Sequence, residues 1–159
     1  MEEKEQIKGY YSNKQFNNDM CAYAKKISEL SKCLSRKVGA VITKDNRVIG
    51  IGYNKVPDTC KDCKTCIRKT SKPGKHLDMC KALHAEEYAI LDALKSYDDL
   101  DNCNIYLTTS PCYHCAKLLI QTKIKKIYAI DDYPDANAKA ILQEAKIPLY
   151  FITEVIDRW

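Results

Sequence analysis

From residue 84 onward the apolar pattern alternates between helical and extended periods, and that alternation restricts the fold more than any other feature of the chain. Residues 84–96 place Ala85, Tyr88, Ala89, Leu91, Ala93 and Leu94 at helical intervals, and NIYLTT (104–109) is a short β-favouring run. A helix over 112–122, a strand over 126–130, a helix over 135–145 and a strand over 147–152 follow. Pro111 stands just before the second of these helices, where a missing N–H would be unpaired anyway. Pro148 cannot donate to a ladder, so the last strand is expected at a sheet edge. Upstream, Phe16, Met20, Tyr23, Ala24, Ile27 and Leu30 define one apolar face of a helix over 14–32. VGAVIT (38–43) and NRVIGIGYN (46–54), separated by a polar turn, predict a hairpin. Helix, hairpin, then helix and strand in alternation imply helices layered on a partly parallel sheet, which the hairpin makes mixed.

The chain has 159 residues, 45% apolar and 30% charged, which suits a single domain over 1–159 with a full hydrophobic core. No apolar run approaches the length of a membrane span. The first residues, MEEKEQIKGYY, lack the apolar centre of a secretion signal, so a cytoplasmic protein is expected. Nine cysteines, an odd number, argue against a disulfide framework in that setting and favour metal binding or redox chemistry. A net charge of +5 does not demand a nucleic-acid partner.

Residues 55–83 have no sustained period and are rich in Lys, Cys, Thr, Asp, Pro and Gly. A loop this long calls for a function or an internal staple, and Cys60, Cys63 and Cys66 are candidates for the staple. Lys61, Lys64, Arg68, Lys69, Lys72 and Lys75 either form a solvated face or offset the negative charge of metal-bound thiolates.

Two helix starts carry chemistry. His84 and Glu86 stand two apart in the first turn of one helix, so they face different ways and suit different roles. Cys112 and Cys115 share one face of the next helix start, a spacing that chelates Zn²⁺ and that also occurs in redox pairs. His114, between them, is read as a bystander on the opposite side. One His and two Cys leave a fourth tetrahedral position open, as in a catalytic zinc site, where bound water has a pKa of about 7. A non-ligand carboxylate must then move the proton, and Glu86 fits that role. H-x-E followed by P-C-x-x-C is a known signature of zinc-dependent nucleobase deaminases.

Around these residues, CLSRKVGAVI (33–42), IGIGYN (49–54), CKALHAEEYAIL (80–91) and LTTSPCYHCAKLLIQTKIKKIYAIDDYPD (107–135) resemble the cytidine deaminase superfamily, and within it the deoxycytidylate (dCMP) deaminases. The resemblance implies a three-layer α/β/α fold with a five-stranded mixed sheet. It implies hydrolysis of dCMP to dUMP for thymidylate synthesis, by a homo-oligomer that is often a hexamer. His84, Cys112 and Cys115 would hold the catalytic zinc, and Glu86 would protonate N3 and then the leaving amine. Backbone around Ala85 and Ser110 would hold the base edge, Asn54 would contact the sugar or phosphate side, and Arg36, Lys37 and Tyr133 are further candidates for the nucleotide. Family members often carry a second, structural zinc. Here the matching positions favour Cys33, Cys60, Cys66 and Cys80, with Cys63 as the alternate. The family usually has Gly after GYN, where this chain has Lys55. That departure bears on regulation by dCTP and dTTP, which is associated with the motif. Rival readings are a zinc deaminase for a free nucleoside, dCTP or tRNA, and a non-catalytic zinc- or nucleotide-binding module; Glu86 counts against the module.

Overall fold

The computed structural model describes residues 2–72, 75–153 and 155, with side chains of the first helix described from Asn13. The elements run α1 (Glu2–Ser28), β1 (Gly39–Lys44), β2 (Arg47–Tyr53), α2 (Ala85–Ala93), β3 (Asn104–Thr109), α3 (Tyr113–Gln121), β4 (Lys126–Asp131), α4 (Ala136–Glu144) and β5 (Leu149–Phe151), with a single 3-10 turn at Leu77–Met79. Five strands form one sheet in the order β2-β1-β3-β4-β5. β1 is antiparallel to both β2 and β3, whereas β4 is parallel to β3 and β5. The expected mixed sheet and its edge strand at Pro148 are both present.

The handedness of parallel crossovers decides the layers. β2, β3, β4 and β5 all point the same way, and right-handed connections place α2, α3 and α4 on one face. There Ala89, Ala93, Ala116, Leu119, Ala138 and Leu142 meet Ile42, Ile105, Leu107 and Ile127. On the other face α1 supplies Cys21, Ala24 and Ile27 against Val41, Tyr106 and Tyr128. The middle strands β1 and β3 are buried on both sides, which explains why they read as apolar runs rather than alternations.

Local chemistry sets the ends. Asp45 and Asn46 both take positive φ (50° and 61°), the requirement of a tight two-residue hairpin turn. α3 and α4 each end on a left-handed lysine, Lys123 and Lys146. The following Ile124 and Ile147 donate back to Leu119 and Leu142, so the chain turns directly into the next strand. α1 differs from the sequence reading at both ends. It starts at Glu2 rather than near 14, and stops at Ser28 because Glu29, Leu30 and Ser31 bond three residues back and tighten the last turn. Leu30 thereby leaves the apolar face and is 57% exposed.

α2, which begins beside His84, lies unusually close to β2. A Cβ at Gly52 would stand 2.3 Å from the Ala85 carbonyl oxygen and 2.4 Å from the Ala89 nitrogen, and one at Gly50 2.5 Å from the Ala89 carbonyl oxygen. These are backbone atoms that cannot yield by rotamer change. Gly52→Ala is therefore expected to push out the first turn of α2 and lower stability by about 1–3 kcal/mol. Denaturant titration of the two proteins checks this; a midpoint within error of the original would show that the helix has room to move.

Candidate active site

Three elements bring the site together. His84 is the N-cap of α2, with extended φ and ψ of −75° and 157°. The residue before it, Leu83, exchanges both backbone hydrogen bonds with Lys55, which ties the helix entry to the end of the β2 strand. Cys112 is the N-cap of α3, directly after β3, and Cys115 lies in the first turn of that helix. Asp135 caps α4 through Ala138 N–H (3.0 Å) and also accepts the N–H of Tyr113 (2.8 Å), so one carboxylate seats the starts of α3 and α4.

The His84 Nδ1 atom stands 3.5 Å from Cys112 Sγ and 3.2 Å from Cys115 Sγ, and all three donor atoms lie within 4.8 Å of one another. A tetrahedral zinc with Zn–S of about 2.3 Å and Zn–N of about 2.0–2.1 Å separates N from S by about 3.6 Å. The donor set, its spacing and its softness all fit Zn²⁺. Among the described residues this is the one group of three or more His, Cys, Asp or Glu donors so close together.

Charge in the site follows from proximity and burial. The two thiols share a proton. Cys112 is held as a thiolate, down to about 4, first by the hydrogen bond from Cys115 and then by His84, while Cys115 is pushed up by the same bond and by burial. His84 rises to about 9, chiefly through its bond to the Cys112 thiolate. Glu86 is only 4% exposed, and desolvation pushes its carboxyl up to about 7, the range in which a carboxyl both takes and gives protons near neutrality.

Comparison with known proteins gives the constellation a context. Residues 14–130 match the family described as "Cytidine and deoxycytidylate deaminase zinc-binding region". The chain belongs to that family. Family members similar to it include deoxycytidylate deaminase of Schizosaccharomyces pombe, 37% identical over 124 residues that cover 75% of this chain and 38% of the relative. Deoxycytidylate deaminase of Mycobacterium phage D29 is 37% identical over 107 residues, covering 63% of this chain and 82% of the relative. The crystal structure of dCMP deaminase from the cyanophage S-TIM5, in complex with dCMP and dUMP, superposes with a TM-score of 0.71 at 26% identity, over 92% of this chain and 97% of that one. The chain thus spans little more than a third of the S. pombe protein and nearly all of the phage structure.

In this family member His84 and Cys112 open onto a cavity of about 700 Å³, with Cys115 buried behind them. Glu86, Ala85, Ser110, Asn54, Arg36 and Tyr133 line it, whereas Lys37 does not. Arg36 is held by a hydrogen bond from Nη2 to Thr109 Oγ1 (3.1 Å) and by its position 5.5 Å from the Tyr133 ring centre. Tyr133 is itself fixed by its N–H donating to Ser110 Oγ (2.7 Å). Asn54 uses its carboxamide to brace the chain: Oδ1 accepts from Val38 N–H (2.9 Å) and Nδ2 donates to the Arg36 carbonyl (2.7 Å).

Of the five further cysteines, Cys33, Cys63, Cys66 and Cys80 line the same cavity and Cys60 does not, while Cys60 and Cys63 are both exposed. The five thiols do not form a donor cluster as tight as the His84 group. Lys55 pairs with Asp58 and lies between the rings of Tyr53 and Tyr88, 6.0 and 5.6 Å from their centres. Its side chain is directed into that box and its backbone into the bridge with Leu83. His114 corrects the sequence reading. It is outside the donor set, but it faces α2 rather than away, with its ring centre 6.2 Å from that of His84 and its Nε2 3.6 Å from Glu87. Glu87 and Thr109 went unnoticed in the sequence. A Glu three places after a helix N-cap is the capping-box position and was the available signal for Glu87; Thr109 has no such signal.

Proposed function

We propose that the chain hydrolyses dCMP to dUMP and ammonia, a step that supplies dUMP for thymidylate synthesis. The observation that carries this reading is the meeting of His84, Cys112 and Cys115 with the buried Glu86 at one end of a cavity whose wall is basic. Zinc held by His84 Nδ1, Cys112 Sγ and Cys115 Sγ would supply a Lewis acid that makes water a nucleophile near neutral pH.

The protein's own groups do the rest. Glu86 takes one proton from the attacking water and passes it to N3 of the cytosine as the C4–O bond forms; it then takes the second proton from the resulting C4 hydroxyl and delivers it to the exocyclic amine, which leaves as ammonia as the C4–N bond breaks and the C4 carbonyl forms. A carboxyl near pKa 7 moves protons in both directions without a large cost either way. Backbone at Ala85 and the Ser110 region faces the base edge. Arg36, pinned between Thr109 and Tyr133, and the loop cations Lys61, Lys64, Arg68 and Lys81 give the cavity a positive side for the phosphate. A free nucleoside has nothing to place there, which favours the nucleotide.

A second, structural zinc on the cysteine loop is part of the same proposal. Cys33, Cys63, Cys66 and Cys80 face one cavity, which supports Cys63 in place of Cys60 as the fourth ligand. A cytoplasmic homo-oligomer, hexameric in the fullest form of the reading, and control by dCTP and dTTP are further expectations. Lys55, already paired with Asp58, makes the regulatory response the part most open to change. Among the described residues no helix is long and apolar enough to cross a membrane.

Ammonia release from dCMP, dCTP, deoxycytidine and cytidine, with and without added dCTP and dTTP, tests the substrate. Release from dCMP well above the others is expected, with about two zinc ions per chain, falling to about one in Cys63→Ser but not in Cys60→Ser. Bound zinc with no release from any of the four overturns the substrate assignment. A zinc count of one in the unaltered protein overturns the loop site.

A further inference from the structure

We propose that Glu87 and His114 form a clamp that sets the distance between the two halves of the metal site, making both positioning residues for it. The proposal rests on the metal-holding role of His84, Cys112 and Cys115 given above. Those three donors come from two helices that do not pack along each other. α2 lies on β1 and β2, while α3 packs against α4. α2 is thus seated by β1 and β2 and α3 by α4, so direct contacts between the two N-termini set their separation, and Glu87 to His114 is such a contact outside the donor atoms themselves.

Glu87 supplies it with both carboxylate oxygens. Oε1 accepts the backbone N–H of His84 at 3.0 Å, which fixes the residue that carries the imidazole donor. Oε2 stands 3.6 Å from Nε2 of His114, the residue between the two cysteine donors. The Glu87 side chain is 20% exposed, so the link is partly shielded from water, and His114 is 60% exposed on the outer side. The His114 and His84 rings meet edge to face at 6.2 Å and 72°, which keeps His114 alongside the site but outside the donor set. Adjacent glutamates thus divide the work. Glu86 turns into the cavity, and Glu87, one residue and about 100° further round the helix, reaches the neighbouring helix.

The arrangement makes a specific claim about zinc affinity. Without the clamp, the donors from α2 and α3 must be drawn together by the metal, and part of the binding free energy goes into ordering them. Partners that orient ligands are worth about 10–100-fold in metal affinity, and a half-exposed pair belongs at or below the lower end.

The test is a double-mutant cycle on the zinc dissociation constant, measured by competition with a chromogenic chelator. Glu87→Gln keeps an acceptor for the His84 N–H and removes the charge facing His114. His114→Ala removes the other partner at an exposed position. Each is expected to weaken zinc binding about fivefold, and the double variant no more than either alone, because they break one shared contact. Glu87→Ala, which also removes the cap on His84, is expected to lose about tenfold or more. At saturating zinc, KM for the nucleotide should stay unchanged in Glu87→Gln. Affinities within twofold of the unaltered protein, or losses that multiply in the double variant, would overturn the clamp. The readout does not use turnover. Protein that loses zinc on these substitutions yet releases no ammonia from dCMP sinks the substrate reading and leaves the clamp standing; unchanged zinc affinity in an active deaminase does the reverse.

Discussion

Glutamine at position 86 is expected to cost roughly 10²–10⁴-fold in turnover while zinc stays bound and the fold stays intact. Glu86 is not a metal donor, and Gln has its shape, so neither the ion nor the packing has reason to change. Only the mobile proton is lost. Burial already holds this carboxyl up to about 7, so a neutral amide removes an unfavourable buried charge as well. Melting temperature should therefore stay level or rise as activity falls. Steady-state kinetics on dCMP, zinc analysis and thermal melting on one preparation give all three numbers. Undiminished turnover with bound zinc would remove Glu86 from the chemistry. Lost turnover together with lost zinc would show instead that the side chain holds the site up rather than moving protons.

Removing the metal is the second large effect. Chelation, or Cys112→Ala, is expected to abolish turnover and to lower the melting temperature by about 10 °C. The estimate follows from linkage: a ligand present at about 1,000 times its dissociation constant stabilises the folded state by about 4 kcal/mol, and each kcal/mol moves a domain of this size by about 2–4 °C. The metal-free donors partly satisfy one another, since the Cys112 thiolate accepts from Cys115 and from His84, which is raised to about 9, and this offsets part of the loss. Readdition of Zn²⁺ to the chelated protein should restore both properties, whereas Cys112→Ala should recover neither in full. Full activity in thoroughly metal-free protein would exclude a catalytic role for the triad.

Element order and donor identity were legible in the residues because both depend on short-range pattern. A period of 3.6 or 2 is written along the chain itself, so β3 falls on 104–109 as read, α3 and α4 lie within one residue of the expected ends, and α2 starts within one residue but ends three residues early, at Ala93. His84, Cys112 and Cys115 could be singled out because thiol and imidazole chemistry is rare enough to narrow the choices. The start of α1 was missed because its first turns are polar and charged, and a helix with no apolar stripe there has no periodic signature to read.

What remained for the tertiary structure was every relation between residues distant in sequence. Patterning gave five strands, but their order β2-β1-β3-β4-β5 follows from hairpin pairing and crossover handedness, which act between elements. The work of Asn54 in bracing Arg36 and Val38, the seating of α3 by Asp135 and the approach of Glu87 to His114 depend on angles between elements that no local window contains. Cys33, Cys60, Cys63, Cys66 and Cys80 are a further case: their spacing permits several sets of four, and only the path of the chain brings Cys33, Cys63, Cys66 and Cys80, and not Cys60, to the lining of the cavity. The sequence by itself determined which groups were available for chemistry; packing against the sheet decided which of them meet, because distance in space is set by the layers and not by position along the chain.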